Sequence, residues 1–241
     1  MIVLNYHELA EASPPNAWCL THRMFDEHLA LYGDRLISPS SFLKDCSDPK
    51  TSRTDAVLLT FDDGFLSDYT HVYTRYVKSG RIPGFMSFIP VEFVGSPGRM
   101  NWKMIEELGR DGVAIGSHGM AHVDLTTASD VERDRELTVS KSMLEDRLGQ
   151  RVTLFAFPYG RFSRRVWDAA LKAGYTHLFT IQLGYHRGFE SFLYSRLCLT
   201  NNMDAEYMRQ HLRDPDAMRG SAWKISTKLG LYRQLMRWRY R

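Results

Sequence analysis

The sequence predicts an α/β fold built on a parallel sheet. Three observations predict it: short apolar runs recur along the chain, helical patterns alternate with them, and the runs are almost continuously apolar instead of alternating. Strands covered by helices on both faces read in that way. The chain has 241 residues, 44% hydrophobic and 24% charged, which is enough to bury a core without disulfides. About seven strands are expected, and periodicity leaves a closed barrel and an open sheet equally open.

The strands are expected at 2–6, 56–61, 84–89, 113–116, 153–157, 177–181 and 194–199. Between them, residues 24–31 and 65–78 space apolar side chains at helical intervals, the second run stopping at Ser79-Gly80. Residues 102–110 follow a capping Asn101 and end near Gly112. Residues 129–148 start at Ser129-Asp130 and stop at Gly149, and 163–173 follow a Pro-Tyr-Gly turn and end at Gly174.

Composition removes several classes of function. Cys19, Cys46 and Cys198 are odd in number and far apart, so neither a disulfide framework nor a thiolate zinc site is expected. They read as small buried or half-buried hydrophobes, which fits a reducing compartment. The opening MIVLNYHELA has no basic leader pattern, and no apolar run approaches 18 residues, so the expected location is cytoplasmic. The net charge of +3 is unevenly spread: residues 217–241 hold seven of the 31 basic residues and no acid, leaving 24 basic against 28 acidic elsewhere. Positive charge confined to one tail argues against a nucleic-acid binder. The tail, 216–241, interleaves its Lys and Arg with aromatics, and is expected either to be solvated or to make peripheral contact with an anionic membrane.

The polar residues converge on strand ends. LLTFDDGF, at 58–65, closes an apolar run with two adjacent carboxylates. Their repulsion and desolvation need a cation, a substrate, or merely a solvated Asp-Gly turn to offset them. His118 and His122 follow the strand at 113–116, and Pro158, Tyr159 and Gly160 follow the strand at 153–157. Three strand ends presenting such groups on one rim is the pattern of a barrel active site. Two imidazoles four residues apart share a face if they lie on a helical turn, and with a carboxylate they would suit Zn²⁺ or Fe²⁺.

These motifs resemble those of the metal-dependent polysaccharide deacetylases, the NodB-homology or carbohydrate esterase family 4 group. TFDDG at 60–64, SHGMAH at 117–122 and FPYG at 157–160 match its three motifs in order, and the resemblance spans roughly residues 2–199. It implies a distorted (β/α) barrel of about seven parallel strands over 1–215. By position it implies Asp63, His118 and His122 as metal ligands and Asp62 as general base. The backbone N–H of Tyr159 becomes an oxyanion donor. The implied cofactor is a divalent metal, Zn²⁺ first, with Ni²⁺, Co²⁺, Fe²⁺ and Mn²⁺ as alternatives. Such a cation would keep both carboxylates ionised and acidify a bound water.

The chain departs from the pattern in places. Gly119 stands where a Ser or Thr hydroxyl is usual, and Ala156 is in the neighbourhood of an absent motif-three arginine. Arg196 resembles the late arginine of one branch and would substitute for it, unless it is a surface arginine. The late Leu-x-His that supplies a general acid has no clear match; His177 and His186 are candidates only by residue type. His7, in NYHEL, resembles the Tyr-His opening of the biofilm-polysaccharide branch and is the better candidate. The segment VERDRELTVSKSMLEDR reads as a charge-laced helix face, His22, His28 and His71 as solvated, and Trp102 as core or as a sugar platform. The expected function is removal of an N-acetyl group from a sugar nucleotide, a lipid-linked sugar or a nascent surface polysaccharide such as O-antigen. Hydrolysis of another small amide, such as a formyl group, and glycan binding without turnover are the alternatives.

Overall fold

A computed structural model of the chain describes residues 1–47, 55–182 and 193–212. The first strand, β1 (Ile2–Tyr6), is buried at all five positions. A small ladder of β2 (Leu9–Ala10) on β3 (Leu20–Thr21) follows, and the chain enters a helix at His22–Tyr32, capped by Thr21, which accepts from the Met24 N–H. A further helix, Pro39–Ser47, was not expected from the sequence. Then come β4 (Val57–Asp62), the helix Asp68–Val77, β5 (Met86–Ile89), the helix Trp102–Arg110 and β6 (Ala114–Ser117). The 129–148 segment is one helical run from Asp130 to Leu148, widened to π geometry at Arg135–Val139. The rest is β7 (Leu154–Ala156), the helix Arg164–Lys172, β8 (His177–Thr180), β9 (Leu193–Ser195), β10 (Leu197–Cys198) and a second unexpected helix, Ala205–Leu212.

Eight strands form one parallel sheet in the order β10-β1-β4-β5-β6-β7-β8-β9. The two edge strands are consecutive in sequence with only Arg196 between them, so the chain steps from one edge to the other and nearly closes a barrel. The sheet has eight strands where about seven were expected. The run at 194–199 is two strands, because it serves two partners: the Arg196 N–H donates to Thr180 O (2.8 Å), and the Leu199 N–H to Asn5 O (2.9 Å).

The period of two along each strand sorts the side chains. Val3, Leu58, Met86, Phe88, Leu154, Ala156 and Phe179 pack together inside the barrel, with Ile37 and Phe42 among them. The intervening residues, such as Leu4, Leu59, Phe155 and Leu178, join the larger core that holds the helices. The same parity carries Asn5, Thr60 and Asp62 inward above Val3 and Leu58. The interior is therefore apolar at one end and polar at the C-terminal rim, where the site lies.

The predicted tail at 216–241, the domain boundary at 215 and His186 lie outside the described residues. Among the described residues no helix is long and apolar enough to cross a membrane.

Candidate active site

Asp62, the last residue of β4, is 3% exposed, and Arg196 is fully buried beside it. The guanidinium forks the carboxylate, Nη1 to Oδ1 and Nη2 to Oδ2, both at 2.7 Å. Asn5 Nδ2 donates to Oδ2 at 3.1 Å. Arg196 Nη1 also reaches Asn5 Oδ1 (3.0 Å) and Thr60 Oγ1 (3.2 Å), which fixes the fork. Burial alone would raise the Asp62 pKa; Arg196, with His118 and His7, outweighs it and holds the carboxyl well below the usual range. Arg196 is thus an interior residue, and the surface alternative is excluded. Asp62 accepts three bonds of the four its lone pairs allow, so one remains for a further proton donor.

Asp63, His118 and His122 come together one residue further out. One ligand atom of each lies within 4.8 Å of the others. His122 Nε2 is 3.4 Å and His118 Nε2 3.8 Å from Asp63 Oδ1, a buried oxygen without a hydrogen-bond partner. His118 Nδ1 lies 2.7 Å from Ala156 O; as the donor there, it leaves the Nε2 lone pair facing Asp63. Burial and the neighbouring His122 push the His118 pKa down to about 4, so it is neutral at physiological pH. Two imidazoles and an orphaned carboxylate oxygen aimed at one point are a donor set that fits a divalent cation.

The backbone is bent to achieve this. Of the non-glycine residues with positive φ among those described, Asp63 (72°), His122 (57°) and Tyr159 (58°) all belong to this rim, and Ser13 is the fourth. Such strain persists only where surrounding structure enforces it, and it gathers at functional sites. Arg99 supplies part of that enforcement: its Nη1 donates to the Asp63 carbonyl (2.7 Å), with its guanidinium over the Phe65 ring. At the third motif, a Cβ on Gly160 would lie 2.2 Å from Ile181 Cγ1, so no larger residue fits.

Glu136 holds the histidine loop, and the sequence reading missed it. Its carboxylate accepts from the N–H of Met120 (2.7 Å) and of Ala121 (3.1 Å), the residues between the two histidines. Gly119 completes the fit: a Cβ there would meet Glu136 Oε2 at 2.5 Å. The carboxylate therefore occupies the space that a Ser or Thr side chain would need, and ties down the loop in its place. The π-widened turn at Arg135–Val139 carries Glu136 inward, a known use of such bulges. The expectation of a solvated charge-laced face is corrected here, since Glu136 is fully buried and Arg133 is 4% exposed.

Asn5, His7, Glu8, Asn16, Trp18, Asp62, Asp63, His118, His122 and Tyr159 line one cleft of about 290 Å³. His7, just beyond β1, joins the site as expected; burial lowers its pKa, and its Nδ1 lacks a partner. The Tyr159 ring packs edge-on against His122 at 4.6 Å. His177 does not join them: it sits at the opposite end of β8, stacked on Tyr194. Trp102 packs against the core under Arg147 and is no part of the cleft. His28 and His71 are buried, and His22 stacks on His71, so none of the three is the freely solvated residue expected.

Comparison with known proteins agrees with this fold. The model of the polysaccharide deacetylase family matches residues 49–178. YxkH of Bacillus subtilis, named as a polysaccharide deacetylase, is 24% identical over 72% of this chain and 61% of its own length. The peptidoglycan-N-acetylmuramic acid deacetylase PdaA of Bacillus subtilis is 27% identical over 53% of this chain and 47% of its own. The chain thus spans about half to three-fifths of these curated relatives. Among solved structures, the Streptococcus pyogenes deacetylase PplD superposes with a TM-score of 0.77 at 23% identity, over 88% of this chain and 97% of its own. IcaB from Ammonifex degensii does so at 0.70 and 21%, over 88% and 96%. The fold is that of a nearly closed parallel barrel with its candidate site at the C-terminal strand ends. The chain belongs to the polysaccharide deacetylase family.

Proposed function

We propose that the protein is a metal-dependent hydrolase that removes an N-acetyl group from a carbohydrate, with a surface polysaccharide or its lipid-linked precursor as substrate. The observation that carries the proposal is the pairing of two carboxylates in different states. Asp62 is locked by Arg196, and Asp63 is left open toward two imidazoles.

Asp63, His118 and His122 would hold the cation, with zinc favoured by the two imidazoles. When bound, a divalent cation polarises the amide carbonyl and acidifies water. Asp62 takes the proton of the attacking water through the remaining lone pair of Oδ1; Arg196 Nη1 holds that oxygen, and Arg196 Nη2 and Asn5 Nδ2 hold Oδ2. The backbone N–H of Tyr159 donates to the carbonyl oxygen as it gains charge. As the C–N bond breaks, the amine nitrogen must gain a proton; His7, which lines the same cleft, is the candidate to pass on the one that Asp62 took from water. One water is consumed, and acetate and an amino sugar leave.

The test is acetate release from a panel of acetylated oligosaccharides, lipid-linked sugars and sugar nucleotides, with and without chelator. Turnover that chelation abolishes and added metal restores is expected. Asp62→Asn should lower kcat at least ~10²-fold while metal still binds, because the amide keeps the shape and loses the base. Near-normal turnover in that variant would remove Asp62 from the mechanism.

A further inference from the structure

Trp18 is not used by the chemistry just described, yet it is placed as though it had work to do. It is 46% exposed. Among the described residues only two Phe, Tyr or Trp side chains are exposed, Trp18 and Tyr159, and both line the active-site cleft. Every other described aromatic is buried or half-buried, and these two are uncovered at a place where a ligand would cover them.

The loop that carries Trp18 is tied down. Asn16 Oδ1 accepts from the N–H of Trp18 (2.8 Å) and of Cys19 (3.1 Å). From the far end of the chain, Asn201 donates its N–H to Ala17 O (2.9 Å) and its Nδ2 to Asn16 O (3.0 Å). The Leu20 N–H donates to Glu8 O at 3.0 Å. An exposed indole on a frame fixed from both sides is preorganised for contact, with little ordering left to do on binding. Its ring centroid stands 5.8 Å from that of His7 at 45°, so it lies one ring beyond the reacting groups.

We propose that Trp18 is the stacking platform for the pyranose ring next to the one whose amide is cut. This rests on the deacetylase reading above and deepens it. A pyranose presents a face of C–H bonds with positive edges, which matches the negative face of an indole. Its ring hydroxyls would then point to the rim, where Asn16 and Glu8 offer hydrogen-bond partners. The described lining includes the carboxylates of Glu8, Asp62 and Asp63 and no Lys or Arg, so a phosphorylated or uronic neighbour would meet repulsion at Glu8.

The experiment has two arms. The Asp62→Asn protein, which holds the sugar without cutting it, is titrated with N-acetylglucosamine and with its linear oligomers of up to five units. Affinity should rise roughly tenfold or more from one unit to three. Adding Trp18→Ala should abolish that rise, and Trp18→Phe should keep most of it. In the active enzyme Trp18→Ala should raise KM for the oligomers by about the same factor, with kcat within about threefold. A length gain that survives Trp18→Ala, no length gain at all, or a loss confined to kcat would each overturn the platform. If no acetylated sugar ever yields acetate, the deacetylase reading falls, and the titration still decides whether Trp18 binds sugar. If acetate is released and Trp18→Ala changes nothing, the platform alone falls.

Discussion

The fold carries two clusters that share one recipe, a pair of histidines beside an aspartate, and only one of them is built like a metal site. At the rim, the rings of His118 and His122 lie edge to face, 4.7 Å apart at 68°, and Asp63 Oδ1 faces both without a partner. Beneath the helix His22–Tyr32, His22 and His71 lie flat on one another, 3.6 Å apart at 12°, and Asp26 is occupied by the Tyr76 hydroxyl. Stacked rings hold their nitrogen lone pairs in parallel planes and cannot aim both at one ion. The first cluster has donors that converge and a carboxylate left open. The second has donors that diverge and a carboxylate already used. Convergence of lone pairs, more than composition, separates a ligand set from a packing motif.

The largest expected contrast is therefore in metal content. His118→Ala should lose the cation and at least ~10²-fold in turnover, whereas His71→Ala should keep full metal stoichiometry by elemental analysis. Metal loss in the second variant would erase the distinction between the clusters.

Next in size is Arg196→Met. It leaves the Asp62 carboxylate buried without its counter-charge, which should cost about 3–5 kcal/mol by denaturant unfolding and raise the Asp62 pKa. The acid limb of the rate profile should move to higher pH.

The histidine loop sharpens the comparison, because His22 and His71 have no such holder. Glu136→Ala strands two buried N–H groups, with an expected loss of about 1–3 kcal/mol and roughly 10–100-fold in metal affinity. Gly119→Ser should destabilise the protein by itself, since its Cβ would press on Glu136 at 2.5 Å and φ is +85°. The double variant Gly119→Ser with Glu136→Ala should recover part of that loss. Strict additivity of the two changes would mean that they do not share the space.

The smallest effect is a pH dependence of stability from the stacked pair. Burial and the facing His22 push the His71 pKa down to about 4. The unfolded chain takes up this proton near the ordinary histidine pKa and the folded chain does not. The contribution is thus fully present above about pH 6.5 and is lost as pH falls toward 4. Allowing for solvent screening, it is on the order of 1 kcal/mol. Thermal unfolding of His71→Phe across this window should fall less steeply with acid than that of the parent; parallel curves would remove His71 as the source.

The apolar runs gave away the strands because a strand covered on both faces has few polar positions to confuse the pattern. The rim was legible for a related reason: Asp62, Asp63, His118 and His122 stand out against apolar runs that end just before them. Asn5 was equally visible within IVLNY but drew no attention, since a lone polar residue in a strand does not announce a partner 57 positions away. Glu136 was hidden more thoroughly. In VERDRELTV five consecutive residues, 132–136, are charged, so the charge pattern marks no inward face, and the π-widened turn sets which of them is buried. Sequence periodicity assumes regular turns, so a bulge is where it fails. The split at Arg196 was invisible because one short run reads as one strand, and nothing local reveals that it serves two edges.

That split has a consequence for when the protein becomes competent during its own synthesis. The pairing of β10 with β1 joins residues some 190 positions apart, and contacts of such span tend to be made late. A nascent chain that has emerged only as far as β8 already contains the three groups of the rim, His118, His122 and Asp63. It does not yet contain Arg196, so the Asp62 carboxylate lacks the fork that orients it and lowers its pKa. The residue that draws the two sheet edges together is also the one that switches on the base. On the proposed mechanism, hydrolytic competence should appear abruptly, at the final docking step, and an incomplete barrel should gather the proposed metal ligands before it can cut anything.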